Sequence, residues 1–250
     1  MNPDETKRLY YFTGKQWGLK AIRERRLKIA QYKDVNEPFE LAPFDLTNRK
    51  ARRFWTEQVA RLVAGNHGIL CFSEDWQSTL MWSHYGEKHT GLCLGFDVPR
   101  RMAEPIRYID QPLREPVDPK KQLRGMPAEV LESALRCKHA GWSHEREWRL
   151  RLRLDAPVDG IYYKDFDDEL HLREVIMGPR CSLELDEVQR AVSNPPMDVE
   201  IFRAQAAHGA FEVCRHLEAT PQTVSGFRAR LAKARDLFDH DLPDEDPSDT

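Results

Sequence analysis

Apolar and polar positions alternate most cleanly between Arg146 and Leu154. Trp148, Leu150, Leu152 and Leu154 fall on one side, and Glu147, Arg149, Arg151 and Arg153 on the other. Period two is the mark of a strand with one buried face. Short apolar runs predict further strands at Leu9–Thr13, Ile69–Ser73, Gly91–Val98, Pro105–Ile109, Gly160–Tyr163, Leu172–Met177 and Val199–Arg203. Apolar residues spaced by three and four predict helices instead. They recur over Lys15–Arg26 (Trp17, Ala21, Ile22 inward), Thr47–Ala64 (Ala51, Phe54, Trp55, Gln58, Val59, Leu62), Asp75–Glu87, Pro127–Gly141 and Pro221–Phe238. Gly65 and Asn66 supply a stop for the second of these. Pro38 holds Glu37 extended, so Tyr32–Phe39 reads as a loop, as does the proline-rich Gln111–Lys120. Helices come early, strands dominate the middle, and no regular βαβ alternation appears. The pattern predicts an α+β fold in a compact single domain over residues 1–235.

Charge adds one feature. The formal net charge of the 250 residues is -3, yet residues 236–250 hold seven acids and no Lys or Arg. The remainder is therefore mildly basic at +4, and the acidic tail, with Pro243 and Pro247, reads as disordered. No apolar leader follows Met1 and no run is long enough to cross a bilayer, so the expected location is cytoplasmic, without membrane contact. The five cysteines form no C-x-x-C pair, which argues against a disulfide framework or a zinc ribbon. Cys71 and Cys93 lie in apolar runs and read as core.

Two constellations carry candidate chemistry. In His144-Glu145-Arg146-Glu147-Trp148-Arg149, strict alternation would put Glu145 and Glu147 on one side of a strand. Such a pair can divide its duties: one carboxylate stabilises an oxocarbenium charge on a sugar, the other orients or deprotonates a nucleophile. The bland alternative is a solvated face of paired Glu and Arg. The second constellation is Cys71-Phe72-Ser73 followed by Met81-Trp82-Ser83-His84-Tyr85-Gly86. Trp82, His84 and Tyr85 offer flat faces and polar tips to a planar ring, or else belong to an amphipathic core helix. His84/His89 and His139/His144 are five apart, which does not suit a helical metal pair, so no metal is expected. No acid pair has a nearby Lys in the arrangement of a metal nuclease. Basic clusters at Lys20–Lys28, Asn48–Arg53 and Arg149–Arg153 permit nucleic acid or a phosphorylated ligand without demanding either.

These boxes, in this order, resemble an uncharacterised bacterial domain family: Leu9-Tyr10-Tyr11-Phe12, the N-D-P-F-E-like Asn36–Glu40 (with Glu37 for Asp), Cys71–Ser73 with Met81–Gly86, and Trp142–Arg149. The resemblance spans roughly residues 7–215. More remotely the chain is similar to ADP-ribosyltransferase-like domains. Those carry His or Arg on a first strand, a small polar residue ending a second, an aromatic segment near nicotinamide, and a late strand with E-x-E. That resemblance implies a split or strongly bent mixed β-sheet flanked by helices, and NAD as substrate, bound in a cleft between two small sheets. Tyr11 takes the first-strand place, where the family has His or Arg, and Ser73 the second. Tyr85 or Trp82 stacks on nicotinamide, with His84 beside them and Arg149 among the binding groups. Glu147 holds the ribose hydroxyl and Glu145 orients an acceptor, protein or nucleic acid. The implied activity is ADP-ribose transfer or NAD hydrolysis, in a toxin or anti-phage effector. The competing reading from another class is a non-catalytic nucleotide- or nucleic-acid-binding module.

Overall fold

In the computed structural model, which describes residues 5–114, 127–216, 221–226 and 230, the chain begins with strand β1 (Thr6–Thr13) and helix α1 (Lys15–Glu24). Arg25, left-handed at φ 53°, ends α1 and turns the chain into β2 (Arg26–Lys28) and β3 (Ala30–Gln31). A continuous helical stretch follows: α2 (Arg49–Phe54), a wider π-type segment at Trp55–Ala60, and α3 (Arg61–Asn66). Then come β4 (His67–Ser73), α4 (Thr79–His84), β5 (Leu92–Pro99), β6 (Ala103–Pro105), β7 (Arg107–Ile109), α5 (Ala128–Arg136) and β8 (Cys137–His139). A 3-10 turn, Ala140–Glu145, leads into β9 (Glu147–Arg153). The described chain closes with β10 (Tyr163–Asp165), β11 (His171–Met177), α6 (Leu185–Val192), β12 (Val199–Ala206), β13 (Val213–Arg215) and β14 (Gln222–Val224).

The main sheet runs β13-β12-β11-β5-β1-β4-β9-β6, with β14 also on β12 and β3 also on β4. It is mixed: β11 and β12 are parallel and its other pairings antiparallel. The α+β expectation therefore holds, with helices flanking one large mixed sheet. The sheet is also nearly divided. β1 pairs with β5 over eight residues and β4 with β9 over seven, but β1 and β4 meet only at Tyr10 and Ser73.

The two faces have different cover. Leu9, Phe72, Leu94, Phe96, Leu150 and Val175 pack under α1 and α6 through Leu19, Ile22 and Val188, forming the main core. Removing them from water is the principal stabilising contribution, at about 25 cal/mol per Å² of apolar surface. On the opposite face, α4 covers the β5 half with Trp82 and Met81 against Phe12, Cys93, Ile176 and Phe202. The stretch from α2 to α3 and α5 cover the β4 half: Val63 and Leu135 pack on Ile69, while Trp55, Val59 and Ala134 surround Phe44.

Several helix expectations need correction. Trp17 is 69% exposed and α1 faces inward through Gly18, Leu19 and Ile22. Leu62 is half exposed, and Val63 takes the inward position, because the π-type segment shifts the buried stripe by one residue. The expected helix at Pro127–Gly141 stops at Arg136, since Cys137–His139 pairs with Arg107–Ile109 instead. Pro221–Phe238 opens not as a helix but as β14, paired with β12; most of the rest of that segment and the 236–250 tail lie outside the described residues. So does most of Gln111–Lys120.

Asn48 caps α2, its side chain accepting from the Lys50 and Ala51 amides at 2.9 and 3.2 Å. Asn48→Ala is expected to cost about 1 kcal/mol, read as a lower urea midpoint with an unchanged slope.

Candidate functional site

A cavity of about 290 Å³ opens where β1 and β4 part, at the small end of ligand sites. Its walls are aromatic: Tyr10 and Tyr11 from β1, Tyr85 from the end of α4, and Trp142 from the turn before β9. The segment Asp34–Glu40 closes one side. Five acids (Asp34, Glu37, Glu40, Glu145, Glu147) and three bases (Lys28, Lys138, Arg149) line it, so its formal charge favours a cation or a developing positive charge.

The acid pair lies deep, but not by the expected route. β9 starts at Glu147; Glu145 ends the preceding turn, and Arg146 between them is left-handed at φ 45°. Strict strand alternation is therefore broken at Arg146. The two carboxylates nevertheless converge, because both accept from Lys138 Nζ: Glu145 through Oε2, and Glu147 through Oε2 at 3.1 Å. Tyr85 Oη donates to the other oxygen of Glu145 at 2.5 Å. Arg149, two residues along the same face of β9, donates Nε to Glu147 Oε1 at 2.6 Å. Its Nη2 donates to Glu40 Oε2 at 2.9 Å. The Glu147 amide donates to Tyr108 Oη at 2.8 Å, which anchors the start of the strand. Side-chain exposures of 3–4% for Glu147, Arg149 and Glu145 mark a buried charge network, not a solvated face.

Burial pushes the Glu147 carboxyl up, but Arg149 and Lys138 outweigh it and hold Glu147 well below the usual carboxylate range. Burial likewise opposes the Lys138 charge, and Glu147 and Glu145 reverse that and raise its pKa. Burial and Glu145 push the Tyr85 phenol far up, keeping it a neutral donor. The Cys71 thiol packs on the Ile69 cluster, as its apolar run predicts, and also lines the cavity; burial raises it well above its ordinary value.

A carboxylate depressed in the folded state stabilises the fold above its unfolded pKa, near 4.5 here, and that contribution disappears as pH falls towards the folded value. The expected result is a fall in urea midpoint between about pH 5 and about pH 2, much shallower in Glu147→Gln. Parallel curves for the two proteins would contradict the charge network.

Of the expected site residues, Glu145, Glu147, Tyr11, Tyr85 and Arg149 line this cavity. Ser73, Trp82 and His84 do not. Ser73 is 1% exposed, and its Oγ accepts from the Asp75 amide at 3.1 Å, shaping a turn. Trp82 is wholly buried, its Nε1 donating to the Trp76 carbonyl at 2.7 Å, so its ring is core and cannot stack on a ligand. His84 points outward, its ring 6.0 Å from that of His144. Tyr85 contributes its hydroxyl to Glu145; Trp142 is the additional ring on the wall. Lys138 and Tyr108 had no sequence signal, since their partners lie on other elements; Trp142 stood at the head of the Trp142–Arg149 box, but its place on the wall needed the fold. Glu40 did, inside Asn36–Glu40, yet its role as partner of Arg149 needed the fold. The Lys missing from the linear pattern also stands beside the acid pair in space, its ammonium between the carboxylates where a cation would sit. Among the described residues no group of three or more His, Cys, Asp or Glu is placed to hold a metal. No helix there is long and apolar enough to cross a membrane.

No protein-family model, curated protein or solved structure matches this chain. The reading of the site therefore rests on its geometry.

Proposed function

We propose that the cavity binds the nicotinamide riboside end of NAD and that the protein is an ADP-ribosyltransferase-like enzyme, transferring ADP-ribose or hydrolysing NAD. The observation that carries this is Glu147, buried beside Glu145 on the wall of an aromatic-lined cavity and paired with Arg149 and Lys138. Its position in the sheet also supports the reading. Tyr10, Ser73 and Glu147 stand directly opposite one another on the three neighbouring strands β1, β4 and β9. That is the order of first-strand, second-strand and E-x-E positions which the resemblance implies, with Tyr10 rather than Tyr11 in register. Tyr11 is two-sided: it packs on Phe72 and also borders the cavity.

In this reading Trp142 and Tyr11 flank the nicotinamide. The C1′–N bond breaks, its electron pair stays with nicotinamide, and the ribose becomes an oxocarbenium. Glu147 accepts from a ribose hydroxyl and stabilises that cation. At about 4 Å and an effective dielectric near 20, one carboxylate contributes about 4 kcal/mol. Glu145 orients the acceptor. An enzyme consuming NAD this way would suit a toxin or anti-phage effector.

One observation favours the second reading, a non-catalytic nucleotide- or nucleic-acid-binding module: each carboxylate oxygen of Glu145 and Glu147 already has a donor from the protein. Incubation with NAD and chromatography of the products separates the two. Free nicotinamide above the buffer control supports the enzyme; saturable binding without it supports the module.

A further inference from the structure

Lys138 is the one lysine on the cavity wall that touches both acids. It leaves the end of α5 on β8, and the short parallel pairing of β8 with β7 fixes its backbone through Tyr108 and Lys138. An ammonium has three N–H donors. One goes to Glu145 and one to Glu147. Among the described residues no third acceptor meets the group; its nitrogen lies 5.1 Å from the centroid of the Trp142 ring instead. The side chain is 9% exposed and borders the cavity.

Burying three charges together to brace a fold is a poor device. Well-packed apolar residues usually do as well or better. This cluster, moreover, lies on a cavity wall, where a bound molecule can use it. Resting on the NAD reading, we infer that Lys138 is a positioning residue: it holds Glu145 and Glu147 side by side and offers its remaining N–H to a ligand oxygen. The ligand class is one presenting a hydroxyl or carboxamide oxygen next to a forming cation. Without Lys138, two carboxylates would share one buried site, and one of them would take up a proton to relieve the repulsion.

The groups around the ammonium come from several elements. Glu145 belongs to the turn, Glu147 and Arg149 to β9, and Tyr108 to β7. Tyr85 reaches in through Glu145 from α4, and Glu40 through Arg149 from the segment before α2. Only Arg149 and Lys138 among these are cationic, and Arg149 has no hydrogen bond to Glu145 among the described contacts. Among the described residues Lys138 is therefore the cation that hydrogen-bonds Glu145, with Tyr85 as its neutral donor.

The test compares full-length wild type, Lys138→Met and Lys138→Arg. Carbon-13 carboxyl NMR titration reads the two glutamates directly. In Lys138→Met, Glu147 titrates at distinctly higher pH than in wild type, and Lys138→Arg restores the low value. For nicotinamide release, Lys138→Met lowers kcat about 100-fold with little change in KM. It also moves the acid limb of the pH profile to higher pH, and Lys138→Arg moves that limb back. Carboxylate titrations and an acid limb in Lys138→Met that both match wild type overturn the inference. If Lys138→Met does not fold, Lys138→Gln is read in the same way. Wild type that releases no nicotinamide overturns the NAD reading, while the NMR titration still decides whether Lys138 governs the carboxylates.

Discussion

Glu147→Gln is expected to slow nicotinamide release from NAD about 1000-fold. The size follows from the electrostatics of the site. In the proposed reaction the wild-type carboxylate, kept ionised by Arg149 and Lys138, would face the cation that forms as nicotinamide departs. A contribution of about 4 kcal/mol to that state corresponds to about three powers of ten in rate. Glutamine preserves the shape and can still meet Arg149 through its carbonyl, but it removes the charge. The loss should therefore fall on kcat, with binding of NAD largely retained. Steady-state kinetics with thermal melts on the same samples make the check. Release at the wild-type rate by a folded Glu147→Gln protein removes Glu147 from the mechanism.

Arg149→Met is expected to destabilise the fold by about 3–5 kcal/mol. Arg149 joins Glu147 on its own strand to Glu40 from the segment before α2, and all three groups are nearly excluded from water. Removing the cation leaves two buried carboxylates that must be protonated or drag water inward. In a protein of this size the expected fall in Tm is about 10 °C. The same substitution at Arg153 serves as control. Arg153 is 78% exposed and among the described residues pairs with the exposed Asp155, so about 0.5 kcal/mol or less is expected there. Equal losses at the two sites would show that Arg149 is not a buried hub. Because Arg149 also holds Glu147 ionised, the folded fraction of Arg149→Met should lose activity at neutral pH as well.

The sequence made the strands legible and the helices less so. Alternation at β9 and the apolar runs at β4, β5 and β11 are direct consequences of burial on a pleated sheet, and these strands fall where periodicity puts them. The helix over Arg49–Asn66 was visible too, but a π-type segment moved its buried face from Leu62 to Val63, a local change that no 3.6-residue period encodes. α5 was overrun because Cys137–His139 could continue a helical pattern and is taken into a strand by a partner about thirty residues earlier.

For the site, the acids were legible and their surroundings were not. Glu145 and Glu147 are adjacent in sequence, whereas Lys138, Glu40 and Trp142 reach them only through the fold. Trp82 illustrates the opposite failure. An i, i+3 pair of aromatics suits a ligand face and a core face equally, and here Trp82 went to the core while Tyr85 went to the cavity. On β1, Tyr10 and Tyr11 are neighbours that both border the cavity, and only the fold shows that Tyr10 is the one paired with Ser73.

The most direct measurement is a crystal structure with a carbocyclic NAD analogue, whose ribose ring lacks the oxygen needed to form an oxocarbenium and so stays intact. The account predicts the nicotinamide between Trp142 and Tyr11 in the cavity, with a ribose hydroxyl on Glu147. Analogue bound elsewhere on the protein, with Glu147 still facing only Arg149 and Lys138, would contradict it.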